Sequence, residues 1–381
     1  MKIFKATRKY EKRLRQELGV FEDDLSFKAK RLTEDRSAFL RGTFYRWMQL
    51  WPDICKKIAD APVVLAVGDL HVANFGTWRD AKDQLVWGIN DFDEAAPLPY
   101  TLDLTRLAAS VELASELQQL KIDLQEACEA ILAGYEESLE SGGKPFILND
   151  GNKWLRKAYV EGGRSADEYW QRLEASQEVE FEIPAEARIV LEASLPAKGL
   201  AYRLKHRLAG VGSLGRPRYT ALAIFEGERI ARETKPLLAP AASWVNKKHK
   251  RSNPVDKRSS PVDKNAEIYY EEVLARAVRS LDPVVKVYES WVVRRLAPDS
   301  HRIGLSELGP ERDEKRMLRA MGWETANIHL GTPKAIKAVL KDLKTRKKDW
   351  LVSAAGKMVT ATLPDWEMWR ERALGPNMSP R

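Results

Sequence analysis

VGDLHVANFGTWRDAKDQLVWGINDFDEAAPLPYTLDLTRLAAS, residues 67–110, sets a series of acids beside short apolar runs. Asp69, Asp80, Asp83, Asp91, Asp93 and Asp103 all fall within it, together with His71 and Asn74. Val63–Val67, bounded by Pro62 and Gly68, predicts a buried strand, and Leu85–Ile89 predicts a second. Polar side chains at the end of a buried strand point into a cleft, not into the core. Asp69 there can orient a substrate hydroxyl or take its proton. Asn74 can offer its amide oxygen to a magnesium ion, and Asp91, with Asp93 beside it, can complete the shell from the neighbouring strand end. Magnesium takes only one or two protein carboxylates and fills the rest with phosphate and water oxygens. Read alone, each half is equally a polar turn.

His71 is a hydrogen-bonding residue of the same loop and joins Asp69 as a catalytic candidate. The five histidines form no H-x-x-x-H pair, so a zinc site is not expected. Asp103 precedes an apolar helix, where it either caps the N-terminus or braces the catalytic loop from below.

Outward from this stretch, residues 7–18 and 33–58 read as helices, with Phe39, Leu40, Phe44, Trp47 and Met48 at core spacing. Leu104 to Ser141 carries one long helical pattern that ends at Gly142-Gly143. Residues 152–195 are helical in pieces. Near Leu200 the texture changes: Leu208–Glu233 alternates like strands, and VVKVYES and WVVRRL add two more. Ala266–Ser280 predicts a helix between them, and the chain is helical again from Glu311. The tail after Leu374 reads as loose.

GVGSLG, Gly210–Gly215, is a G-x-G-x-x-G followed by strand-like residues and Pro217 instead of a helix. That disfavours a dinucleotide fold and suits a glycine loop whose N–H groups cover ATP phosphates, so Gly210, Gly212, Ser213 and Gly215 are cofactor candidates. Lys235, at the end of the next strand-like stretch, can reach those phosphates, with Glu271 or Glu267 on the following helix as its partner.

The chain has 381 residues, 44% hydrophobic and 31% charged, which suits two or three globular units. No apolar run is long enough for a membrane span, and the basic N-terminus lacks the apolar stretch of a secretory signal. Cys55 and Cys128 give neither a disulfide framework nor a thiolate metal site, which fits a cytoplasmic protein. The net charge of +8 concentrates in residues 247–258 and 334–348. Such clusters are solvated faces or sites for acidic partners; no zinc-finger or RNA-binding signature accompanies them, so a nucleic-acid partner is not expected.

GDLHVAN, INDFDE and YTLDLTRLAAS together resemble the catalytic loop, metal motif and following helix of aminoglycoside-phosphotransferase-like kinases. With AFLRGTFYRW and GVGSLGRPRY, the chain more closely resembles the bacterial domain of unknown function 2252 family, in the protein-kinase-like group. The resemblance implies Asp69 as catalytic aspartate, Asn74 and Asp91 as metal ligands, Gly210, Gly212 and Gly215 as the phosphate-covering loop and Lys235 as the phosphate lysine. Glu271 as its partner is a looser match. Val67 replaces the histidine usual before Gly-Asp, and Asp93 replaces the glycine of the protein-kinase metal motif.

The order is inverted, since an ordinary kinase presents its glycine loop first. The expected fold is therefore α+β, bilobal, protein-kinase-like and circularly permuted. A large helical lobe (1–199) is interrupted by a small β-rich lobe (200–297), and 298–381 returns through a hinge near Ala297-Pro298. The helix holding Ala326, Ile328 and His329 would then lie beneath the catalytic loop. The expected activity is ATP- and Mg-dependent phosphoryl transfer to a hydroxyl on an unidentified small-molecule acceptor. A nucleotide-binding pseudokinase and a nucleotidyl transferase are the alternatives on the same scaffold.

Overall fold

The computed structural model describes residues 2–118, 120–148, 152–161, 165–245, 267–305, 308 and 313–374. The basic segment expected at 247–258 and the tail after Leu374 lie outside them. The fold is α+β, with 54% helix and 16% strand. No helix among the described residues is long and apolar enough to cross a membrane.

The N-terminal helices are α1 (Ile3–Glu17), α2 (Glu22–Glu34), α3 (Arg36–Gly42), α4 (Phe44–Ile54) and α5 (Lys56–Ala59). The single helix expected over 33–58 is thus broken. Asp35 turns its carboxylate to the Ala38 N–H and starts α3, and Thr43 separates α3 from α4. Likewise the long pattern from Leu104 divides into α6 (Tyr100–Gln118) and α7 (Leu124–Ser141). Asp123 caps the second of these by accepting the Glu126 N–H at 2.8 Å.

Strand β1 (Val63–Ala66) pairs antiparallel with β4 (Ala96–Pro99), while β2 (Phe75–Arg79), β3 (Leu85–Ile89) and β5 (Phe146–Ile147) form a separate three-stranded sheet. The two apolar runs read from the sequence are therefore not neighbours. What brings their polar ends together is the β2–β3 hairpin, with Phe75 opposite Ile89. Its turn is closed by Asp80, whose Oδ1 accepts the N–H groups of Lys82 and Gln84, each at 2.9 Å.

After α8 (Lys153–Glu161), α9 (Ala166–Glu174), β6 (Gln177–Glu178) and α10 (Ala185–Glu192), the chain enters a meander of β7 (Arg203–His206), β8 (Tyr219–Phe225) and β9 (Glu228–Pro236). Two short helices follow, α11 (Ala241–Val245) and α12 (Tyr270–Arg276), then the hairpin β10 (Lys286–Tyr288) and β11 (Trp291–Leu296). The antiparallel sheet has the order β10-β11-β9-β8-β7-β6. It begins before the change of texture at Leu200, because β6 is part of it and α10 packs on it.

Alternation along these strands gives the sheet two unlike faces. Tyr219, Ala221, Trp291 and Val293 pack on Ile183, Ala187, Val190 and Leu191 from α10 and the residues before it. Arg218, Glu233, Lys235 and Arg294 occupy the opposite face, toward the helical body. The expected hinge near Ala297-Pro298 is stitched down: Thr77 N–H donates to the His301 carbonyl at 2.9 Å, and Arg79 pairs with Asp299 at 2.6 Å.

The chain ends in α13 (Glu314–His329), α14 (Pro333–Thr345) and α15 (Trp350–Leu374). Helices α7 and α13 cross closely at two glycines. A side-chain carbon on Gly134 would run into the Arg319 carbonyl, and one on Gly322 into the Ile131 carbonyl.

Candidate active site

The loop between β1 and β2 carries Asp69, His71 and Asn74. Gly68 opens it with φ of 84°, and a side chain there would meet the Glu94 backbone, so glycine is required before Asp69. Asp103 holds this turn from beneath. Its carboxylate accepts the Val67 N–H at 2.7 Å and the Gly68 N–H at 2.9 Å, and His329 Nε2 stands 3.0 Å away. Asp103 is the fourth residue of α6 and not its cap, so of its two expected roles the structure selects the brace. The His329 helix does lie beneath the loop, and Tyr135 Oη bonds His329 Nδ1 at 2.7 Å.

Asp69 is gripped by Arg106 of α6, which reaches Oδ1 with Nη2 at 2.5 Å and Nε at 3.0 Å. Burial raises the Asp69 carboxyl above its usual range, and the Arg106 charge opposes that rise. Arg106 is fully buried, donates to the Leu40 carbonyl at 2.7 Å and lies over the Phe44 and Trp47 rings. Sequence reasoning missed it. The available signal was a lone arginine among Leu104, Leu107, Ala108 and Ala109, since a charge inside an apolar helix must find a partner.

His71, expected among the catalytic residues, is buried, and its Nδ1 accepts the Ala73 N–H at 3.3 Å. Burial first, then Arg41 and Arg106, holds its imidazole well below the usual value, so it is neutral. It caps the 3-10 turn Val72–Asn74. Asn74 Oδ1, the atom expected to bind magnesium, accepts the His71 N–H at 2.7 Å. A carbonyl oxygen keeps a second lone pair for a metal. The Asn90 N–H donates to the Asn74 carbonyl at 3.1 Å, which sets Asn74 beside Asp91.

Lys235 reaches across from β9 and places Nζ 3.1 Å from Asp91 Oδ1 and 2.6 Å from Asp93 Oδ1. This corrects its expected partner: Glu271 is exposed on α12, and Glu267 bonds Tyr269. Strand β9 itself sets Lys235 against Asp91 and Asp93. Burial pulls the Asp91 carboxyl up, but Lys235, Arg294 and Arg218 outweigh it and hold Asp91 well below the usual range. Asp93, buried and facing the ionised Asp91, is pushed up instead. Arg216 lies 3.8 Å from Asp93 and 3.7 Å from Glu94, whose carboxyl burial raises to about 7.

The glycine loop joins β7 to β8 and carries a 3-10 turn, Val211–Ser213. It rests on α3 and on Asp69: a side-chain carbon at Gly212 would lie 3.0 Å from the Arg41 carbonyl and 3.9 Å from Asp69 Oδ2. Helix α2 clasps it from outside. Lys28 Nζ donates to the Gly212 carbonyl at 2.8 Å, and the Phe21 N–H donates to the Gly215 carbonyl at 3.2 Å. Lys28 lies over the Tyr10 ring, and its burial lowers its ammonium below the usual value. Ser213 Oγ accepts Arg218 Nη2 at 2.6 Å. Asp69, Asn74, Asp91, Asp93, Gly212 and Lys235 therefore converge, and Glu271 does not join them.

Among the described residues no cluster of three or more His, Cys, Asp or Glu side chains has metal-holding geometry. No curated protein matches the chain, and no solved structure does. Residues 21–168, which contain Asp69, Asn74, Asp91, Asp103 and Arg106 but neither the glycine loop nor Lys235, match the model of a family described as Uncharacterized protein conserved in bacteria (DUF2252), and over that span the chain is similar to it.

Proposed function

We propose that the chain is an ATP- and magnesium-dependent phosphotransferase on a bilobal, circularly permuted, protein-kinase-like scaffold. The helical body would be the large lobe and the six-stranded sheet the small one. The observation that carries this reading is the contact of Lys235 with both Asp91 and Asp93. In protein kinases the phosphate lysine lies on the third strand, after a glycine loop, and acts on the same nucleotide phosphates as the metal held by an aspartate that follows the catalytic loop. Lys235 lies on the third strand of the β7–β8–β9 meander, whose first connection is the glycine loop.

Catalysis on such a site is positioning and electrostatics. Arg106 holds one oxygen of Asp69 and leaves Oδ2 on the glycine-loop side, where it orients the acceptor hydroxyl and takes its proton. Asn74 and Asp91 would hold magnesium. Both offer hard oxygen donors, and the Asp91 side chain is 39% exposed, so the donor set fits that ion. When bound, magnesium neutralises phosphate charge. Lys235 exchanges its carboxylate partners for phosphate oxygens. Because the glycine loop rests on Asp69, nucleotide entry requires that it lift from the clasp of α2.

The test is ATP calorimetry, with and without magnesium, on wild type and Asp91→Ala. Magnesium-dependent binding that the variant loses is expected. Equal ATP affinity in both across a magnesium titration sinks the metal assignment, and no binding by the folded wild type sinks the nucleotide reading.

A further inference from the structure

The sheet face under the glycine loop carries more positive charge than its own carboxylate can answer. Glu233 of β9 is fully buried, and three arginines from three different segments share it. Arg218 Nη1 and Arg294 Nη2 each lie 2.7 Å from Oε1, and Arg207 Nε lies 2.5 Å from Oε2. Cross-strand register enforces the grouping, since Arg294 and Thr220 both stand opposite Glu233. Asp91 and Asp93 lie near enough to offset a part of the excess. Removing uncompensated charge from water is costly, so such a cluster is stable when a further anion joins it.

Arg218 is the centre of this arrangement. Its side chain is only 4% exposed, yet among the described residues its Nε–H has no partner. Among the described residues its Nη2 bonds only the Ser213 hydroxyl of the glycine loop, at 2.6 Å. Gly210, with φ of 71°, brings the loop down directly upon it: a side-chain carbon there would lie 3.0 Å from Ser213 Oγ and 3.4 Å from Arg218 Nη2. A neutral hydroxyl thus stands where a guanidinium fork would take a phosphate oxygen. Arg207 and Arg294, 25% and 26% exposed, connect the cluster to solvent.

We infer that Arg218, Arg294 and Arg207 around Glu233 form an anion site that takes the phosphates of a polyphosphate chain, with Ser213 as the internal group they displace. The chemistry is shared by a nucleoside triphosphate and by inorganic polyphosphate. The inference deepens the nucleotide reading but stands on the arginine geometry and not on the magnesium ligands.

The experiment is magnesium-free calorimetry with tripolyphosphate, ATP and adenosine on wild type, Arg218→Gln, Ser213→Ala and Asp91→Ala. Arg218→Gln leaves Glu233 two arginines, and a thermal melt confirms that it folds. Tripolyphosphate is expected to bind wild type, to bind Arg218→Gln about tenfold or more weakly, and to bind Ser213→Ala more tightly because the competing hydroxyl is gone. Asp91→Ala, which removes one of the carboxylates that offset the arginines, should bind tripolyphosphate at least as tightly as wild type. Failure of the folded wild type to bind tripolyphosphate, or equal binding by Arg218→Gln, overturns the inference. If ATP binds and Arg218→Gln does not weaken it, the anion site falls and the nucleotide reading survives. If tripolyphosphate binds and ATP binds neither here nor when magnesium is added, the site stands as one for inorganic polyphosphate and the nucleotide reading falls.

Discussion

Arg106 holds Asp69 by a single oxygen, with Nη2 2.5 Å and Nε 3.0 Å from Oδ1. The two residues sit 37 positions apart, one on the loop after β1 and one on α6. Arg106→Ala is expected to lower turnover by about 10²-fold through loss of carboxylate orientation, with KM for nucleotide little changed. Arg106→Lys should rescue poorly, because an ammonium cannot reproduce both contacts to Oδ1 together with the bond to the Leu40 carbonyl. A variant with raised KM and intact kcat assigns Arg106 to binding instead.

Asp103 answers two backbone N–H groups and His329 with one carboxylate, at zero exposure. Asp103→Ala leaves all three buried and unmet, at a cost of roughly 3–5 kcal/mol. Urea unfolding followed by tryptophan fluorescence measures it. A loss below about 1 kcal/mol would mean that water enters and replaces the brace.

Glu233 contributes acid sensitivity. Its folded carboxyl lies well below the ordinary 4.5 because three arginines outweigh its burial. The stability it supplies is therefore fully present above pH 4.5 and is lost as pH falls toward the folded value. Glu233→Gln should be less stable than wild type at pH 7, by roughly 3–5 kcal/mol, with the gap narrowing in acid. Parallel melting curves at pH 7 and pH 3 are the wrong outcome.

Glu324 acts in the opposite sense. It is buried beside Gly88, accepts the Ile89 N–H at 3.3 Å and Asn327 Nδ2 at 2.7 Å, and its carboxyl is raised to about 7. The folded chain keeps a proton there that the unfolded chain releases above 4.5, so stability falls as pH rises from 4.5 to about 7. Glu324→Gln should flatten that slope in urea titrations over this range. Glu94 adds a slope of the same sign, which the variant should leave in place.

Gly322→Ala sets two effects against each other. Alanine favours a helix interior by about 1 kcal/mol over glycine. At the α7–α13 crossing its methyl meets the Ile131 carbonyl, a backbone atom that can move only with its helix. Overpacking of this kind costs about 1–3 kcal/mol, so a lower melting temperature is expected. A higher one would show that the two helices part easily.

Val63–Val67, Leu85–Ile89 and WVVRRL announced themselves as strands because short apolar runs between turn residues have few other uses. GDLHVAN and INDFDE were legible as polar loops at strand ends for the same local reason. Strand partners were not, because β1 pairs with β4 thirty-odd residues on and nothing near Val63 specifies this. Arg106, Arg218 and Glu233 were missed since each acquires its meaning only from a residue on another element. Glu271 was misread because its place on the next helix in sequence suggested a reach to Lys235 that Asp91 and Asp93, in the loop after β3, pre-empt.

The bond between His329 and Asp103 joins residues 226 positions apart. On a ribosome adding about 5–20 residues per second, Asp103 emerges roughly 10–50 s before the helix that completes its surroundings. Through that interval the nascent Asp69 loop has its carboxylate but not its floor. Its maturation is therefore timed by translation of the distal helices, and a pause upstream of Glu314 would lengthen the period in which the half-built loop needs protection.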